Sequence, residues 1–85
     1  MAAGNFTAGA TSAVILAKDA YPNGVAIQWY SGGTININLG APAEAGKGIA
    51  LNQDNPVFRY ELKNRMSVNV IRAAEVDGLG GYLTF

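Results

Sequence analysis

The sequence contains no cysteine and no histidine. The first absence excludes disulfides and thiolate metal sites. The second removes the commonest metal ligand and the commonest general base, so the usual serine or cysteine nucleophilic chemistry has no support. Charge is also scarce. Charged residues make up 14% of the chain, against roughly 25% in an average soluble domain. Six basic and six acidic side chains cancel. The basic residues Lys18, Lys47, Arg59, Lys63, Arg65 and Arg72 are dispersed among acids, which leaves no electrostatic footprint for nucleic acid. Lys63-Asn64-Arg65 reads as a solvated hairpin tip rather than a phosphate clamp. Long hydrophobic runs are missing too. No stretch approaches the roughly 18–20 apolar residues of a membrane span, and Ala13–Ala17 lacks the basic flank and length of a signal peptide. The expectation is a soluble chain with no membrane partner and no export signal. Asn5-Phe6-Thr7 fits a glycosylation sequon, which that setting makes a chance match.

What is present is 85 residues, 49% of them apolar, enough for one domain. A chain this short buries a modest core, and small domains are commonly stapled by disulfides, metal or oligomerisation. With cysteine absent, oligomerisation is the staple left open. A neutral, charge-poor, apolar chain also suits a protein that works assembled.

Two segments show strict two-residue alternation. In Thr34–Leu39 the apolar set is Ile35, Ile37 and Leu39, with Asn36 and Asn38 outward; in Val57–Leu62 it is Phe58, Tyr60 and Leu62, with Val57, Arg59 and Glu61 outward. Val25–Tyr30 would place Val25, Ile27 and Trp29 on one face. Its proximity to Thr34–Leu39 across Ser31-Gly32-Gly33 predicts a hairpin. Ala13–Ala17, Ile49–Leu51, Met66–Ala73 and Tyr82–Phe85 read as further strands. The turns fall at Tyr21-Pro22-Asn23-Gly24, Asn52–Pro56 and Lys63–Arg65. Gly40–Gly48 has no apolar periodicity and reads as a loop crossing between sheets. Asp77-Gly78 and Gly80-Gly81 bracket Leu79 in a final loop. No amphipathic helix is evident. The prediction is an all-β fold, a small antiparallel sandwich or barrel of about six or seven short strands. Residues 1–12 would form an extended N-terminal arm and residues 13–85 a single β domain.

No residue is assigned to catalysis, cofactor or metal. Asp54, Glu61, Glu75 and Asp77 lie in predicted turns or on outward faces, and a sandwich this small has little room for a cleft, so an enzyme is not expected. A calcium site through Asp54 and Asp77 lacks any Asp-rich repeat. Gly78-Leu79-Gly80-Gly81 lacks the Lys-Ser/Thr of a phosphate loop and is followed by no helix. The aromatics are the candidates for recognition. Trp29 and Tyr30 are neighbours on one strand, so one of them points outward; Tyr21 and Tyr82 lie near turns. Exposed aromatics serve subunit interfaces or stack on sugars. Phe6 in the arm and the apolar terminal Phe85 are suited to docking in this domain or on a neighbour. The candidate interface is therefore Phe6, Trp29, Tyr30, Tyr82 and Phe85.

Ser31–Leu39, Ser67–Ala73 and Gly80–Phe85 together resemble, in size and texture, the short β-rich proteins that decorate tailed-phage capsids. The resemblance covers about half the chain and carries over no functional residue. It implies a structural virion protein, made in the host cytoplasm, whose partners are copies of itself or the major capsid protein. The alternatives from other classes are a small carbohydrate-binding module using Trp29 and neighbouring tyrosines, and an adaptor or inhibitor of one host protein.

Overall fold

The computed structural model describes residues 3–18, 23–60 and 66–84. They form eight strands: β1 (Ala3–Ala8), β2 (Ala13–Leu16), β3 (Val25–Gly32), β4 (Ile35–Leu39), β5 (Ile49–Leu51), β6 (Val57–Tyr60), β7 (Val68–Arg72) and β8 (Gly78–Thr84). No helix among the described residues is long and apolar enough to cross a membrane. Two four-stranded antiparallel sheets result. Sheet I has the order β1-β8-β3-β6 and sheet II the order β2-β7-β4-β5. The first strand lies beside the last, and successive strands alternate between sheets except at β4–β5. This is the connectivity of an eight-stranded jelly roll. The expected all-β sandwich is therefore the fold.

The two alternating segments supply part of its interior. Val25, Ile27, Ile35, Ile37, Leu51, Tyr60, Val68 and Val70 are buried between the sheets. Leu39 and Phe58, expected inside, are half-buried and pack against this core. Phe58 and Tyr60 share the inner face of β6, with ring centroids 6.3 Å apart. Leu62, the Lys63–Arg65 turn, the first half of the Tyr21–Gly24 turn and Phe85 lie outside the described residues.

Several local readings are corrected. The predicted β3–β4 hairpin is an arch between sheets, because β3 belongs to sheet I and β4 to sheet II. Alternation fixes which face of a strand is buried and leaves its partner open. The arch turns at Gly32, whose φ of +84° favours glycine. It is tied at Gly33, which donates its N–H to the Asp77 carbonyl at 3.0 Å and accepts from the Trp29 indole at 3.0 Å. Gly40–Gly48, expected to cross between sheets, instead joins β4 to β5 within sheet II. Ala3–Ala8, expected in an arm outside the domain, is an edge strand of sheet I in unbroken register with β8.

The largest correction concerns the glycines near the C-terminus. Gly78, Gly80 and Gly81 belong to a seven-residue strand, not a loop. They are there because neighbours come close. A Cβ on Gly78 would strike Ile35, one on Gly80 would strike the Phe6 ring, and one on Gly81 would strike the Tyr30 hydroxyl. Glycine inside a strand marks such a close approach.

Candidate functional site

The two sheets each bury one face against the other, so the outer faces are where the molecule can meet something else. On sheet I the register arranges the outward positions in rows. Ala3, Leu83, Ala26 and Arg59 form one row; Asn5, Gly81, Gln28 and Val57 form the next; Thr7, Leu79 and Ser31 form the third. A bulge between Trp29 and Ser31 interrupts the β3–β8 pairing at Tyr30. Its ring lies over Gly81, where a side chain would otherwise stand. Tyr30 is 51% exposed, Val57 48%, Leu79 44% and Leu83 40%. Those four, with Ala3 and Ala26, share the face with Asn5, Thr7, Gln28 and Ser31, and among the described residues of these rows Arg59 is the one charged side chain. Single exposed apolar residues need no explanation, and several on one sheet face make it the candidate interaction surface.

Sheet II is treated differently. Its outward asparagines Asn36 and Asn69 are only 3% and 4% exposed. The loop 40–48 covers part of that face. Asn36 Oδ1 accepts from the Gly46 N–H at 2.8 Å, and Asn38 Nδ2 donates to the Pro42 carbonyl at 3.1 Å. Asn69 Nδ2 reaches the Asn38 carbonyl at 3.3 Å and the Ser67 hydroxyl at 3.2 Å. Ser12 Oγ takes the Ala43 N–H at 2.8 Å, which pins the loop to the start of β2. A shallow groove runs between this loop and Asn38, lined also by Glu44 and Lys47. Those two form an exposed ion pair at 3.0 Å.

The five sequence-derived candidates are not brought together. Trp29 is half-buried, packed against the core and hydrogen-bonded through its indole, so it offers no open platform. Phe6 covers Gly80 of its own sheet. Tyr82 is half-buried with its hydroxyl at Gly4. Phe85 lies outside the described residues. Tyr30 alone is exposed on the apolar face. Leu79, Leu83 and Val57 were not among the candidates. The signal for the two leucines is their spacing around Gly81, visible only once 78–84 is read as a strand.

Among the described residues no three carboxylates are grouped so as to hold a metal ion. Asp54 sits in an exposed turn whose amides are held by Asn52 Oδ1, at 3.0 Å to Asp54 N and 3.1 Å to Asn55 N. Asp77 is paired with Arg72 at 2.8 Å. No protein-family model, curated protein or solved structure matches this chain.

Proposed function

We propose that this chain is a non-enzymatic structural protein of a viral particle, which decorates or cements a tailed-phage capsid through subunit contacts. The outer face of sheet I carries this reading. It gathers Leu79, Leu83, Val57 and Tyr30, each at least 40% exposed, among Asn5, Thr7, Gln28 and Ser31 on a small, neutral domain, and exposed apolar side chains grouped in this way suit burial against another protein. Leu79, Leu83, Val57 and Tyr30 would lie against a neighbouring subunit, either the shell protein or another copy. The face of sheet II, partly covered by its own loop, would look away from the contact. Jelly-roll connectivity is common to viral capsid proteins and to lectins, so fold analogy fits both this reading and sugar binding. The sugar reading leaned on Trp29. With that ring packed inward, Tyr30 remains without a second exposed aromatic beside it among the described residues.

Particles purified from the source culture test the proposal directly. Mass spectrometry should find this chain in intact particles at a fixed ratio to the shell subunit. Particles that lack it while the cell lysate contains it would overturn the proposal.

A further inference from the structure

A sheet edge exposes backbone donors and acceptors to any other strand, and proteins usually protect it with a bulge, a charge, a proline or brevity. The sandwich has four edges, and three of them carry such a device. On β2 the register shifts between Val14 and Leu16. The β5 edge is three residues long, and Asn55 Nδ2 donates to its Ala50 carbonyl at 3.0 Å. On β6, four residues follow Pro56 and include Arg59.

Strand β1 has none. Ala3–Ala8 reads Ala-Gly-Asn-Phe-Thr-Ala, with no charge and no proline. Its six residues pair with β8 in unbroken register, and among the described residues β8 is its only neighbour in the sheet.

We propose that the free edge of β1 is a self-association site, where β1 of a second copy adds antiparallel across a twofold axis. The occupant is a second copy because the strand is neutral. Self-pairing then sets no like charges opposite one another, which is the usual obstacle to such a contact. The geometry restricts the register. A twofold axis perpendicular to the sheet keeps both outer faces on one side, so residues directly opposite must share a face. Asn5 and Thr7 point outward, Gly4 and Phe6 inward. The axis must therefore pass through a residue, and Asn5 and Phe6 are the two central ones. The product is one continuous eight-stranded sheet in which the apolar outer faces of both copies lie on the same side. The site stands on strand order and edge composition and does not depend on the virion reading.

Because the chain has no cysteine, single introduced thiols report the contact cleanly. Opposed residues in an antiparallel pair have Cα atoms about 4.5–5.5 Å apart, within disulfide range. Asn5→Cys should oxidise to a covalent dimer if the axis passes through Asn5. Asn5→Cys mixed with Thr7→Cys should do so if it passes through Phe6. Gln28→Cys, in the middle of the sheet I outer face, should remain uncoupled. Light scattering of the unmodified chain at roughly 0.1–1 mM, where a small interface is still populated, should give twice the 8.8 kDa chain mass. The double variant Asn5→Lys, Thr7→Lys should return it to the monomer with unchanged circular dichroism. A monomer throughout that range overturns the site. So does a dimer that survives both lysines, or one in which Gln28→Cys couples faster than either edge pair. Either of the last two would assign self-association to the sheet face and leave the particle proposal standing.

Discussion

On sheet II the outward Asn36 and Asn69 are buried, whereas on sheet I the outward Leu79 and Leu83 face solvent. This inverts the usual distribution of polar and apolar side chains, and both halves of the inversion are informative. A buried asparagine is tolerable only when its amide is satisfied, and the side chains of Asn36 and Asn69 both have partners. Part of the face of sheet II is thus covered by the chain itself, through the loop 40–48, while Val14 beside Asn69 stays 60% exposed. An exposed leucine costs little by itself, and several on one face make a surface that another molecule can cover. On the function proposed above, one face is an internal joint and the other an external one.

The largest expected effect removes the internal joint. Asn36→Ala deletes the acceptor of the Gly46 N–H and leaves space under the loop. The cost should be about 1–3 kcal/mol, typical of a buried hydrogen bond with one partner removed. Urea unfolding should show a lower midpoint with an unchanged slope. An unchanged midpoint would mean that the loop rests on sheet II without holding it, and the contrast between the faces would be one of exposure only.

The external joint should respond the other way. Leu79→Ser with Leu83→Ser removes apolar surface that is already partly solvated, so folding stability should change by less than about 1 kcal/mol. Attachment to a partner should suffer more. Burying the exposed part of each leucine is worth about 1 kcal/mol, which makes the double variant about thirtyfold weaker in rebinding to particles. Rebinding at full strength would remove the sheet I face from the contact.

How much of this was legible in the chain depended on the range of the interaction. Ile35, Ile37 and Tyr60 sit inside because a two-residue period is local, and the sequence displays it directly. Asn36 and Asn38 do point away from the core, as their alternation with Ile35 and Ile37 requires. That a loop beginning at Gly40 folds back over them is a tertiary fact with no local mark. The β3–β4 arch was misread for a related reason: Ser31-Gly32-Gly33 permits a chain reversal equally well within a sheet or between sheets. The glycine-rich 78–81 segment was the hardest. Glycine weakens a strand on propensity alone, and here Gly78 and Gly80 leave room for Ile35 and the Phe6 ring, which approach from distant parts of the chain, while Gly81 lies under the Tyr30 hydroxyl. The apolar face was missed with that strand, since Leu79 and Leu83 fall on one side only when 78–84 is extended.

The smallest expected effect tests whether the sheet I face is a surface or a packed layer. A Cβ at Gly81 would overlap the Tyr30 hydroxyl and the end of its ring. Tyr30 is 51% exposed, so its ring has solvent to swing into. Gly81→Ala also reduces the freedom of the unfolded chain, which favours the folded state by about 0.4–1 kcal/mol where the backbone is compatible. The φ of Gly81 lies outside the positive range that disfavours a side chain. Displacing the ring should offset most of that gain, leaving a net change near zero. For a domain of this size, 1 kcal/mol moves the melting temperature by about 4–8 °C, so Gly81→Ala should melt within about 4 °C of the original chain. The Tyr30 ring resonances should shift in an NMR spectrum while those of Tyr60, on the inner side of the same sheet, stay in place. A fall in melting temperature well beyond that range would mean that the Tyr30 ring is locked against Gly81. The outer face of sheet I would then be as internally completed as that of sheet II.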